Sequence, residues 1–388
     1  MTISLPMCAI DFGSSSMDEE EQALADAIQS IKTELGEDLL ILGHHYQRDQ
    51  IVIHADLLGD SFLLSKLASE SDAKFVIFCG VHFMAESADI LTGDHQSVIL
   101  PNLRAGCSMA DMAVLEDVQS AWDSILHLTD LRDPMKREDA NKIVEDDQSF
   151  LVPITYMNSS AELKSFVGKH GGIVCTSTNA EGVINWALER AGPHGKLLFF
   201  PDQHLGRNTG LKLGLREDEM FVWNPGNELS DFDKQSLEES KLILWHGFCS
   251  VHQRFSVEQI TSFREREPNG LVVVHPECSK EVVEAADSVG STEFIRNFVK
   301  QSQDHAKIAI GTEINMVARL NNEYPDKEIE CLDANVCPCS TMYMIHPAYL
   351  LDVLEKIRDG LIPNQIIVPE QTAKYALIAL ERMLSITS

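Results

Sequence analysis

One pattern of short apolar runs recurs three times along this chain, and it restricts the fold more than any single motif does. Each round opens with a run ending in polar residues: His44-His45-Tyr46, then Tyr156-Met157-Asn158, then His275-Pro276-Glu277. A second run or turn delivers a small hydroxyl residue to a helix start, in Gly59-Asp60-Ser61, Cys175-Thr176-Ser177 and Gly290-Ser291-Thr292. A third ends in Cys79-Gly80, Pro201-Asp202 and Gly311-Thr312. A fourth, from Val98, Leu242 and about Glu328, closes just before Cys107, Cys249 and the Cys337/Cys339 pair. The openings lie roughly 110 to 120 residues apart, too regular to dismiss and too uneven for a solenoid.

Between these runs the chain is amphipathic, and apolar runs alternating with helical stretches read as parallel sheets covered by helices. The fold class is therefore α/β, built from three homologous units. We place the first at 22–107, the second at 108–249 with a surface insertion near 216–241, and the third at 250–340. Two helical stretches in 345–388 are expected to pack back on the first unit. Gln22 to Leu35 has helical spacing and stops at Gly36. Ligands of parallel sheets sit beyond the carboxyl ends of the strands. If the units face one another about a pseudo-threefold axis, their polar strand ends converge on one cavity.

Charge narrows the partners. With 31 basic against 60 acidic residues the formal net charge is -29, which argues against nucleic acid or an anionic membrane. Any anionic ligand must be held by local chemistry. Met1 to Ser16 has no basic residue and runs into Asp18-Glu19-Glu20-Glu21, unlike a secretory or transit signal. No apolar run approaches a membrane span. The expected location is the cytoplasm, where thiols stay reduced, so the nine cysteines suggest metal binding or burial rather than disulfides.

Three cysteines at equivalent ends of three repeats would leave a metal cluster one ligand short, and thiolates select iron-sulfur or zinc. Cys107, Cys249 and one of Cys337 and Cys339 are the candidates. Cys8, Cys79, Cys175 and Cys278 read as buried core thiols, with Cys175 and Cys278 on the cavity wall. Cys331, Cys337 and Cys339 could instead form a structural zinc site, although finger and ribbon spacings are missing. His44 and His275 end strands in equivalent places, which favours function over the ordinary satisfied core histidine. Tyr46 and Glu277 lie at the same level and supply an acid and a base. His45, His54, His82, His204, His246 and His252 have no such placement. Ser61, Ser177 and Thr292 are either plain helix caps or anion sites, since free N–H groups at a helix start bind carboxylate or phosphate.

With these residues assembled, the chain resembles the quinolinate synthases, iron-sulfur enzymes of NAD biosynthesis. The matching stretches are Gly43-His44-His45-Tyr46-Gln47, Ala55-Asp56 through Gly59-Asp60-Ser61, Phe83-Met84-Ala85-Glu86-Ser87-Ala88, Tyr156-Met157-Asn158-Ser159 and Thr176-Ser177-Thr178-Asn179-Ala180. Gly247 through Phe255, His275-Pro276-Glu277-Cys278 and Cys339-Ser340-Thr341-Met342 complete the set. The resemblance implies three α/β/α sandwiches about a pseudo-threefold axis. It also implies condensation of iminosuccinate with dihydroxyacetone phosphate to quinolinate, phosphate and water, on one 4Fe-4S cluster per chain whose open iron is a Lewis acid. Cys107 and Cys249 match the first two ligands, and a Cys-x-x-Met pattern selects Cys339 over Cys337. The implied substrate positions are His44, Ser61, Tyr156, Met157, Asn158, Ser177, His275, Pro276, Glu277 and Thr292, with catalysis on Tyr46, Glu277, His44 and His275. Iminosuccinate is unstable, so transient contact with the enzyme supplying it is expected. A regulatory disulfide between Cys331 and Cys337 is an open alternative, as are a redox sensor and a zinc scaffold.

Overall fold

The computed structural model describes residues 19–136, 148–333, 335 and 338–386. After the amphipathic helix α1 (Glu19–Leu35), the first unit holds strands β1 (Leu39–His44), β2 (Leu57–Gly59), β3 (Phe75–Cys79) and β4 (Ser97–Ile99). Helices α2 (Asp49–Val52), α3 (Ser61–Ser69) and α4 (His82–Leu91) lie between them. The second unit holds β5 (Leu151–Tyr156), β6 (Ile173–Cys175), β7 (Lys196–Phe200), β8 (Met220–Trp223) and β9 (Leu242–Trp245). Its helices are α5 (Leu115–Leu128), α6 (Ala161–Lys169), α7 (Ala180–Ala191), α8 (Gln203–Lys212) and α9 (Asp231–Glu239). The third unit holds β10 (Leu271–Val274), β11 (Ser288–Val289), β12 (Lys307–Gly311) and β13 (Glu328–Cys331). Helices α10 (Val257–Arg266), α11 (Lys280–Ala285), α12 (Thr292–Gln301) and α13 (Ile314–Glu323) cover it.

The three sheets share one topology: the strand orders are β2-β1-β3-β4, β6-β5-β7-β9-β8 and β11-β10-β12-β13, and every pairing is parallel. In each, the opening strand is central. Its carboxyl end is therefore flanked by the second and third strands, and its last residues are buried at a sheet end where ligands dock. The fully buried runs Phe75–Cys79 and Lys196–Phe200 explain the continuous apolar sequences.

Two features depart from the sequence reading. The stretch near 216–241 is not plain surface loop, because β8 adds a fifth, edge strand beside β9 and Ser230 opens α9 with a capping box. Phe221 and Trp223 point into the core and dictate that strand. In the tail, α14 (Pro347–Arg358) packs on α1, but α15 (Glu370–Ser385) lies against α6 and β6 of the second unit. Gly168 permits this crossing, since a Cβ there would sit 1.9 Å from the Tyr375 carbonyl oxygen. Arg382 ties the same helix to the Gly172 carbonyl at 2.7 Å.

Candidate active site where three sheets meet

The strand ends of all three units open on one cavity. From the first unit it is lined by His44 and Tyr46, beyond β1, and by Ser61. From the second come Tyr156, Met157 and Asn158, beyond β5, with Ser177; from the third, His275, Glu277 and Thr292. Of the residues expected to bind substrate, Pro276 alone is not on the wall; Asn208 holds its carbonyl at 2.8 Å. Among the described residues the lining contains no lysine or arginine, so within it uncharged donors are what an anion meets.

The helix starts show how. Asp60 and Ser291, not Ser61 and Thr292, cap α3 and α12, accepting from Leu63 N at 2.8 Å and Phe294 N at 3.3 Å. Ser61 and Thr292 are therefore each the first residue inside the helix; their hydroxyls are not used as caps, and both residues line the cavity. Near Ser177, the Thr176 N–H is held at 2.8 Å by Asn179 Oδ1 before α7 begins.

The two strand-end histidines have the same internal bond. The Tyr46 N–H donates to His44 Nδ1 at 3.1 Å, and the Glu277 N–H donates to His275 Nδ1 at 3.4 Å. With Nδ1 an acceptor, a neutral ring carries its proton on Nε2 and donates there. Burial keeps both rings neutral, pushing His44 well below the ordinary range and His275 down to about 3.

A line of hydrogen bonds crosses the floor. The Tyr46 hydroxyl meets Thr312 Oγ1 at 2.8 Å, Thr312 Oγ1 meets His252 Nε2 at 3.4 Å, and His252 Nδ1 meets Glu277 Oε2 at 2.9 Å. Glu277 Oε1 accepts from Tyr156 Oη at 2.6 Å. Burial pushes the Glu277 carboxyl up, but His252, His275 and Tyr156 together hold it below the usual range, so it stays ionised. Burial and that carboxylate push both tyrosines well up. In the sequence His252 has no placement of its own, because a lone histidine after a cysteine carries no period. The Cys249-x-x-His252 spacing, set beside Cys339-x-x-Met342, was the available signal.

Those spacings belong to one turn built three times. Three residues after Cys107, Cys249 and Cys339 a 3-10 turn begins, at Ala110–Met112, His252–Arg254 and Met342–Met344. In each, the N–H four residues on returns to the cysteine carbonyl: Asp111 to Cys107 at 3.0 Å, Gln253 to Cys249 at 3.1 Å, Tyr343 to Cys339 at 2.9 Å. All three cysteines line the cavity. Burial pushes the Cys107 thiol up to about 12 and Cys249 well above its ordinary value. Cys337 lies outside the described residues, as does Cys8. Cys175 and Cys278 are fully buried and absent from the lining, so they do not form the cavity wall expected of them. Among the described residues, the group close enough to share one metal ion is Cys249, His252 and Glu277, with ligand atoms within 4.8 Å of one another. Among the described residues no such group forms around Cys331 and Cys339; Cys337, the third member of the zinc alternative, is outside them.

Residues 26–385 match the family model described as Quinolinate synthetase A protein. Similar curated proteins include quinolinate synthases of Corynebacterium glutamicum, 51% identical over 95% of this chain and 90% of the relative, and of Rhodopirellula baltica, 46% identical over 95% and 92%. That of Herpetosiphon aurantiacus is 47% identical over 97% and 95%.

Proposed function

The chain belongs to the quinolinate synthase family and makes quinolinate for NAD biosynthesis; we propose that it does so by condensing iminosuccinate with dihydroxyacetone phosphate, on a 4Fe-4S cluster held by Cys107, Cys249 and Cys339. The observation that carries this reading is the triplicated cysteine turn on the wall of the cavity that also collects the polar strand ends. The donor set fits a cluster: three thiols on one cavity are the ligands iron-sulfur centres take. They are not drawn together as a single zinc would require. When bound, such a cluster supplies an iron with an open position, a Lewis acid toward a hydroxyl or carboxylate oxygen.

The remaining chemistry belongs to the side chains. Backbone N–H groups and hydroxyls at Ser61 and Thr292, at the positive starts of α3 and α12, hold carboxylate or phosphate, and Ser177, which stands in the turn before α7 and not at a helix start as its sequence suggests, adds a hydroxyl. His44 and His275 donate from Nε2, and Asn158 offers an amide, so the reactants are oriented without a cationic side chain. Met157, with its fully buried side chain, forms part of the apolar wall. Tyr46 exchanges a proton along Thr312 and His252, whose ring Glu277 orients and stabilises when charged. Because both Glu277 oxygens are engaged, its proton traffic runs through His252 and Tyr156. Burial keeps water from the floor of the site.

Anaerobic reconstitution with iron and sulfide followed by a quinolinate assay with both substrates tests this. Turnover is expected; an intact cluster without product would leave a redox or sensing role in its place.

A further inference from the structure

The third cysteine turn is held from a different unit. Its backbone carbonyls are taken by side chains of the first unit, which carries Cys107: Gln47 Nε2 donates to Met342 O at 3.2 Å, Arg48 Nη2 donates to Tyr343 O, and Asn102 Nδ2 donates to Met344 O at 3.1 Å. Gln47 also meets Met342 Sδ at 3.5 Å, and the Arg48 guanidinium stacks 3.5 Å over the Tyr343 ring. Three successive carbonyls of one 3-10 turn are thus each bound by the neighbouring unit.

The bracket that makes these contacts is itself fixed. Arg319 of α13 donates to the His45 carbonyl, to the Gln47 carbonyl at 3.1 Å and to Asp49 Oδ1 at 3.0 Å. The same helix is capped by Glu313, whose carboxylate accepts the Cys339 N–H at 3.2 Å. Both ends of the turn are therefore referenced to α13, one directly and one through the first unit. Gln47 is fully buried and gives its amide Nε2 to the Met342 carbonyl.

We propose that Gln47 and Arg48 are positioning residues for the third cluster ligand: by gripping the Met342 and Tyr343 carbonyls they set where the Cys339 sulfur stands. This rests on Cys339 being a cluster ligand. Neither residue lines the cavity, so neither need touch substrate. A cubane on three thiolates has no spare protein ligand, and a turn free to drift by one residue's width releases it.

The test uses full-length protein reconstituted anaerobically, with parent, Arg48→Ala, Arg48→Lys and Gln47→Leu compared for iron and sulfide per chain and for the rate of iron loss to a chelator. Thermal unfolding of the apo forms is read in parallel. Arg48→Ala and Gln47→Leu are expected to release iron at least several-fold faster than the parent. Arg48→Lys, which keeps a donor but loses the planar stack, should fall between, and the apo midpoints should stay together. Iron loss at the parental rate in both variants overturns the proposal. So does faster loss matched by a lowered apo midpoint, which marks general destabilisation. A parent that takes up no iron and sulfide overturns the cluster reading itself, an outcome distinct from either.

Discussion

Glu277 spends both carboxylate oxygens inside the protein, on Tyr156 and His252, and that makes it the most informative residue to change. Gln in its place offers one acceptor where two donors arrive. Turnover of Glu277→Gln should fall roughly 10²- to 10⁴-fold, the range of a lost proton-transfer group, while iron and sulfide per chain stay at the parental value. His252→Phe, which keeps an aromatic face against His275 (centroids 4.5 Å apart) and cuts the line at Thr312, should show the same pattern. Near-normal turnover in either variant would remove that residue from proton transfer. At this scale the sequence was readable where a residue repeats. His44 and His275 stand out as a pair, and so do Ser61 and Thr292. His252 and Thr312 do not, because the residues at their equivalent places in the other units, Ala110 and Met342 for His252 and Gly80 and Asp202 for Thr312, have different chemistry. Asp202 and Glu313 were hidden for another reason. Each is a fully buried acid at a helix start, and burial of a carboxylate is a property of the folded surroundings that no local spacing announces.

Among the elements, the helix starts separate holding a helix from holding a ligand. Ser61→Ala should leave stability within about 0.5 kcal/mol, the usual effect of a change away from caps and core, and raise KM for the substrates. Asp60→Ala, by contrast, should lower the unfolding free energy by about 1 kcal/mol through loss of the cap. Urea unfolding and steady-state kinetics on the two variants check the split; a stability loss in Ser61→Ala would return that hydroxyl to plain capping. The crossing of α15 over α6 makes a second prediction. Gly168→Ala drives a methyl against the Tyr375 carbonyl, and overpacking of this kind costs about 1–3 kcal/mol, visible as a lowered thermal midpoint. Strand positions were legible because the opening strands are buried on both faces and read as apolar runs. The edge strand β8 was not, since half its residues are only partly buried and its acidic flanks read as loop. The seat of α15 was equally unreadable: its partner face is set by one glycine on a helix far away in sequence.

For the whole molecule, the neutral histidines of the cavity make stability depend on pH. An unfolded histidine titrates near 6.5, whereas burial lowers His44 well below that and His275 to about 3. Between those values the unfolded chain binds protons that the native chain refuses, so stability rises with pH in that window and falls as pH drops below about 6.5. The apo midpoint should decline from pH 7 toward pH 5, and less steeply in His275→Gln; an equal slope would mean that His275 titrates normally in the fold. Three sheets with one strand order around one cavity were the part of the architecture most plainly written in the chain, because each copy repeats the same placement of polar residues after apolar runs. That triplication also yields the central claim, one cluster on three equivalent turns. Its most direct measurement is iron and sulfide per chain after anaerobic reconstitution of single Cys107→Ala, Cys249→Ala, Cys339→Ala and Cys337→Ala variants. The first three should lose the 4Fe-4S complement and Cys337→Ala should keep it; a Cys339→Ala protein that retains a full cluster while Cys337→Ala loses it would contradict the claim.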